Sequence, residues 1–271
     1  MNLEASIEEA IARSGALEVG VAMRDLATGR SVEVNAGISF HPASTFKVCV
    51  MMELFHQASL ANLSLDDEVV VQNSFRSLAD GLPFSNLVDD DGEQTLYERV
   101  GLRETLREIN RLMIVRSSNL GTNILIERLG AANVSQLMED LGAPSLKVVR
   151  GPEDSRAFAK GLNNSADARG LCAILSLLAS RQAVSETSRE MVDVLLGQEF
   201  NEGIPAGLPT EARVAHKTGW IDRHYHDAGI VFPPDREPYV LVVLTKGLEE
   251  LDAGARLVAE ISRLVWEELG R

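Results

Sequence analysis

Apolar residues near the start of the chain fall on every fourth position, at Leu3, Ile7 and Ile11. That spacing predicts a short first helix ending near Gly15. The period then changes to two. Val19, Val21 and Met23 alternate, as do Val32 and Val34, and Ala27-Thr28-Gly29-Arg30 between them suits a turn, so a β-hairpin is expected. From residue 43 to residue 200 the signals are mostly helical. One run is Leu102, Leu106, Ile109, Leu112 and Met113; another spans Leu120 to Leu129 and should stop at Gly130. Ser74 to Gly92 breaks this rhythm with Gly81, Pro83 and the acidic run Asp89-Asp90-Asp91, and reads as a surface excursion. After Gly203 period two returns in Val214 to Thr218, Ala228 to Phe232 and Tyr239 to Thr245, with Pro233-Pro234-Asp235 as a turn. Leu257, Ile261, Leu264 and Val265 predict a closing helix.

Strand-bearing ends that enclose a helical middle imply an α+β fold: an antiparallel sheet flanked by the terminal helices, with an all-helical inserted domain. Residues 1–42 and 205–271 would build the sheet domain and 43–204 the helical one. A cleft between them is the expected place for a site.

Composition narrows the partners. The 271 residues carry 26 Lys and Arg against 40 Asp and Glu, a net charge of −14. Such a chain has no basic footprint for nucleic acid or for an anionic membrane surface. No apolar run approaches the length of a transmembrane helix, so membrane insertion is not expected. Cys49 and Cys172 are too few for a disulfide framework, and Cys49 reads as a small buried hydrophobe. The N-terminus has no basic stretch followed by an apolar one. Read as complete, the chain would be cytoplasmic; trimmed of a leader, it would be periplasmic or secreted. A monomer is expected. Only five of the cations are lysines, at 47, 147, 160, 217 and 246.

Two of those lysines stand in segments suited to chemistry. In His41-Pro42-Ala43-Ser44-Thr45-Phe46-Lys47, proline opens a helix whose continuation from Val48 is apolar nearly all round. Ser44 and Lys47 are three apart and so share a face. Desolvation of a lysine there favours the neutral amine, able to take the serine proton, and the free N–H groups of the first turn could face an oxyanion. A Ser-x-x-Lys spacing arises by chance about 0.4 times in a chain of this composition, so alone it decides little. Arg116-Ser117-Ser118-Asn119, between two predicted helices, could present a hydroxyl and a carboxamide, or simply cap a helix. Lys217-Thr218-Gly219-Trp220 on a strand offers an ammonium, a hydroxyl and an unobstructed backbone edge to a carboxylate-bearing substrate. Chance would produce Lys-Thr-Gly on the order of 0.01 times.

The order Ser-x-x-Lys, Ser-x-Asn, Lys-Thr-Gly resembles the signature set of class A serine β-lactamases and penicillin-binding proteins. The likeness extends over nearly the whole length, and it implies the class A β-lactamase, transpeptidase-like fold. By this resemblance Ser44 is the acylated nucleophile and Lys47 its proton partner. Ser117 passes a proton to the leaving lactam nitrogen, Asn119 binds the substrate's side-chain amide, and Lys217 and Thr218 hold its carboxylate. The N–H groups of Ser44 and Trp220 form the oxyanion hole, with Gly219 beside them. No metal or organic cofactor is implied; the partner is a small β-lactam or related acyl substrate.

The chain also departs from that pattern. Ser118 stands where the second motif usually has aspartate, the gap between the first two motifs is long, and Asp227 occupies the place of a carboxylate-binding arginine. Arg223, His224 or His226 could compensate. The deacylating glutamate maps onto Glu153, but its surrounding motif is missing and Ala157 replaces the water-holding asparagine. Asp154 or an ordinary surface role for Glu153 are the other readings. The implied function is therefore β-lactam hydrolysis through a Ser44 acyl-enzyme. The alternatives are an esterase or D,D-peptidase-like enzyme, or a β-lactam-binding module that deacylates slowly. His224-Tyr225-His226-Asp227 raises a metallohydrolase as an outside reading.

Overall fold

The computed structural model describes residues 2–180 and 187–270. Helix α1 (Leu3–Ser14) begins where the Asn2 side chain accepts from the Ala5 N–H at 2.9 Å and ends at Gly15, whose φ of 74° suits a residue without a Cβ. The hairpin β1 (Glu18–Asp25) and β2 (Ser31–Val34) follows. Three further strands, here β7 (Arg213–Ile221), β8 (His224–Phe232) and β9 (Tyr239–Lys246), complete a sheet in the order β2-β1-β9-β8-β7. Every neighbouring pair is antiparallel.

Both faces of this sheet are covered. Val19, Val21, Met23, Leu241 and Val243 pack on α1 and on the closing helix α9 (Leu251–Leu269). The opposite face carries smaller residues such as Ala22, Ala215 and Ala228 and joins the core of the helical block. Gly20 lies there too: a Cβ would meet the Phe40 ring at 3.0 Å.

At the centre of the helical block runs α2 (Lys47–Ser59), whose residues from Lys47 to Phe55 are all buried. It packs against α3 (Leu106–Val115), α4 (Asn119–Leu129) and α5 (Ala131–Asp140). The shorter α6 (Ser155–Ala159), then α7 (Ala168–Ala179) and α8 (Ser188–Leu196) complete it. Two small ladders sit among these helices, β3 (Glu68–Val70) with β6 (Arg103–Thr105) and β4 (Phe75–Arg76) with β5 (Pro83–Phe84). The first displaces Leu102 from the helix expected there: α3 starts only after Thr105, whose hydroxyl accepts from the Glu108 N–H.

Two expectations change. Residues 74–92 are not a plain surface excursion, because Phe75, Ser77, Asn86 and Asp91 are buried. Strand β8 begins four residues before the apolar run that announced it. The ladder continues through Thr218 opposite Asp227 to Ile221 opposite His224, closed by Asp222 and by Arg223 at φ 57°.

Candidate active site

Ala43–Phe46 form one 3-10 turn at the N-terminus of α2, with the Pro42 carbonyl accepting from Thr45 N and Oγ1. Ser44 is half-buried at its cleft side. Among the described residues six non-glycines have φ in the left-handed region, and three of them, Ala43, Ser117 and Glu153, stand at this cleft. Each such residue costs about 1–2 kcal/mol, a concentration of strain typical of functional sites.

Lys47 is fully buried one turn on. Its Nζ donates to Ser117 O (2.8 Å), Ser117 Oγ (3.3 Å) and Asn119 Oδ1 (2.8 Å). No hydrogen bond joins it to Ser44 among the described residues. Lys217, also fully buried on β7, donates to the same Ser117 Oγ at 3.1 Å and to Thr218 O at 2.9 Å. A hydroxyl oxygen that accepts from two amines has its lone pairs engaged, so its own proton is left for a third group. Burial lowers Lys47 to about 7, while Asp91 and then Glu153 pull it upward. Burial, and next the Lys47 charge, hold Lys217 well below the ordinary lysine value, with Asp227 pulling the other way. The Lys47 amine can therefore exchange protons near neutrality.

Gly219 is required by close approach. A Cβ there would lie 2.5 Å from Ser44 N and 3.0 Å from Thr45 N, so β7 runs directly against the backbone of the serine turn. Thr218 Oγ1, beside it, is buried with no hydrogen-bond partner among the described residues, an orphan acceptor and donor next to an ammonium.

Glu153 enters from the loop before α6. Its carboxylate accepts from Asn119 Nδ2 at 2.9 Å and from Leu87 N at 2.7 Å. Asn119 thus joins Lys47 to Glu153 through the two ends of one carboxamide. The loop lies flush on α4: Asn123 donates to Pro152 O, and no side chain fits at Gly151, where a Cβ would collide with Asn123 Oδ1. A cavity of about 410 Å³ opens above these groups, lined by His41, Ser44, Asn119, Glu153, Phe158 and Trp220 among others.

The sequence matches the β-lactamase enzyme family over residues 2–269. The chain belongs to the β-lactamase enzyme family. It is 28% identical over 266 residues to a β-lactamase of Streptomyces fradiae, covering 96% of this chain and 84% of that one. A β-lactamase of Streptomyces lavendulae is also 28% identical, over 96% of this chain and 85% of its own. Among solved structures, an ancestral class A β-lactamase superposes with a TM-score of 0.85 at 28% identity, covering 98% of this chain and all of that one. The structure of PBP-A gives the same TM-score at 25% identity, over 100% and 96% of the two chains.

This family member differs in its details from what the motifs suggested. Asp227 is fully buried and paired with His216 Nδ1 at 2.9 Å, and it accepts from Ile204 N. His226 cannot compensate for the missing arginine or bind a metal with a free ring nitrogen, since Nε2 bonds His41 O and Nδ1 accepts from Thr245 N. Arg223 donates to Gly247 O. Ser118 is a helix cap, accepting from Gly121 N at 3.0 Å. Asp154 is tied to Ser77, Leu78 N and Ala157 N, which leaves Glu153 as the carboxylate on Asn119. Cys49 and Cys172 are buried, and burial pushes both thiols up to about 12.

Sequence reasoning missed two residues near the site. His41 lines the cavity, held neutral because burial and the Arg150 charge push it down to about 4. Asp91 lies behind Asn119, and the acidic run around it gave no sign of burial.

Proposed function

We propose that this chain is a serine hydrolase that opens β-lactam rings through a Ser44 acyl-enzyme. The observation that carries the reading is the convergence of two buried amines, from Lys47 and Lys217, on Ser117 Oγ at 3.3 and 3.1 Å. Family membership and the β-lactamases among its relatives support it.

Ser44 Oγ attacks the lactam carbonyl while its proton passes to the neutral Lys47 amine. The N–H groups of Ser44 and Trp220 receive the oxyanion, and Lys217 with the unpartnered Thr218 hydroxyl receives the substrate carboxylate. The Ser117 proton moves to the lactam nitrogen as the C–N bond breaks, and Lys47 returns a proton to Ser117. Glu153 then takes a proton from water, which attacks the ester; that proton returns to Ser44 Oγ and the opened acid leaves. The substrate's side-chain amide replaces Glu153 on Asn119 Nδ2. Residues 1–42 with 205–271, and 43–204, act as the two walls of the cleft in this proposal.

Steady-state hydrolysis of a chromogenic cephalosporin tests it. The reading expects turnover that Ser44→Ala abolishes. One stoichiometric acylation without turnover would replace it by a slowly deacylating binder, and activity confined to short esters would replace it by an esterase.

A further inference from the structure

Two departures from the family's usual pattern, the serine at position 118 and the long segment before Ser117, meet at one carboxylate. Asp91 Oδ2 accepts from Asn119 N, from Leu120 N and from Tyr97 OH, each at 2.9 Å, and its Oδ1 accepts from Glu93 N at 3.0 Å. Asn119 and Leu120 are the first two residues of α4, and Ser118 Oγ takes the N–H of the third, Gly121. With Ser118 N donating to Leu112 O, all four free donors of that helix start are satisfied, two of them by a group 28 and 29 residues away. A carboxylate there also sits at the favourable end of the helix dipole.

The segment is held against this turn on both sides of Asp91. Glu93, fully buried, pairs with Arg116 at 2.9 Å. A Cβ on Gly92 would lie 2.4 Å from Arg116 O, so the two backbones touch. Residues 91–93 are therefore docked on the loop that carries Ser117 and Asn119, and they do not form a free rim.

We infer that Asp91 is a positioning residue of the active site, supplying from the inserted segment the carboxylate that the second motif lacks at Ser118. It acts through Asn119, whose side chain ties Lys47 to Glu153, and through its charge. The charged groups that act on the Lys47 amine are Asp91 from the inserted segment and Glu153 from its loop, with Lys217 of β7 sharing Ser117 Oγ; Tyr97 meets Asp91 through its hydroxyl. Asp91 is the leading influence that opposes desolvation at Lys47. The inference rests on the catalytic reading above for its effect on rate; its effect on Lys47 rests on the bond from Asn119 N to Asp91 and on the Asp91 charge, whatever the reaction.

The test compares the parent, Asp91→Asn, and Asp91→Asn with Ser118→Asp, a residue type that caps helix starts from that position. The five lysines make a ¹³C lysine titration by NMR practical. In Asp91→Asn the Lys47 midpoint falls below the parent's, and the acylation rate drops about tenfold to a hundredfold through misplacement of Asn119. Adding Ser118→Asp restores both. A Lys47 midpoint that stays in place, with only a lower Tm, would make Asp91 a structural cap and overturn the inference, as would failure of Ser118→Asp to restore either readout in a folded protein. If the parent is never acylated by a β-lactam, the catalytic reading fails while the Lys47 titration still decides the role of Asp91.

Discussion

Asn119 donates its amide N–H to Glu153 at 2.9 Å while its carbonyl oxygen accepts from Lys47. One side chain therefore links the group proposed for acylation to the group proposed for deacylation. The bond also holds Glu153, which stands on a strained backbone with φ 65° and lacks the neighbouring asparagine usual in the family.

Glu153→Gln keeps an acceptor for Asn119 and loses the base. Acylation should survive and deacylation should slow by about 10²–10⁴-fold, the range of a general base. Intact-mass spectrometry during turnover of a penicillin would then show the acyl-enzyme accumulating. Undiminished turnover would remove Glu153 from the mechanism.

The proposed base form of Lys47 is the neutral amine, and burial sets its midpoint at about 7. Activity should therefore rise with pH through that value and lose roughly tenfold per unit below it. The pH profile of kcat/KM for a substrate without ionisations in that range measures this. A profile flat from pH 5 to 8 would contradict the assignment.

Gly219→Ala drives a Cβ to 2.5 Å from the Ser44 amide, a collision with backbone that no rotamer relieves. The serine turn must move away from β7, and acylation should fall steeply. The overpacking should cost about 1–3 kcal/mol of stability, measurable by urea denaturation beside the acylation rate.

Asp227→Ala leaves His216 and the Ile204 N–H buried without their partner. Each buried donor left without its acceptor costs about 1–3 kcal/mol, a loss of stability and not of a substrate contact. Chemical denaturation reads the cost. For the same reason Asp227→Arg should destabilise the fold and leave KM for carboxylate-bearing substrates no lower.

Prediction from the sequence succeeded where chemistry and spacing were local. The buried run of α2 and the stop at Gly130 each depend on residues within a turn or two of one another. It faltered where a side chain answered to a distant backbone. His224 to Asp227 are polar, so nothing in their pattern announced strand β8; the ladder to Trp220 and Ile221 made them one, and His216 drew Asp227 inward. Leu102 matched the helical period but lies exposed, because Arg103–Thr105 pair with β3 first.

By itself the sequence determined the α+β class, the order of the elements and the three motifs, because hydrophobic period and short spacings are properties of contiguous residues. Only the tertiary structure decided what those motifs face. Lys217 meets Ser117 across 100 positions, and Asp91 reaches Asn119 across 28, through hydrogen bonds to a hydroxyl and to main-chain N–H groups. Every residue but proline carries such an N–H, so the acceptor's destination is invisible in the chain until folding brings one particular helix start beside it.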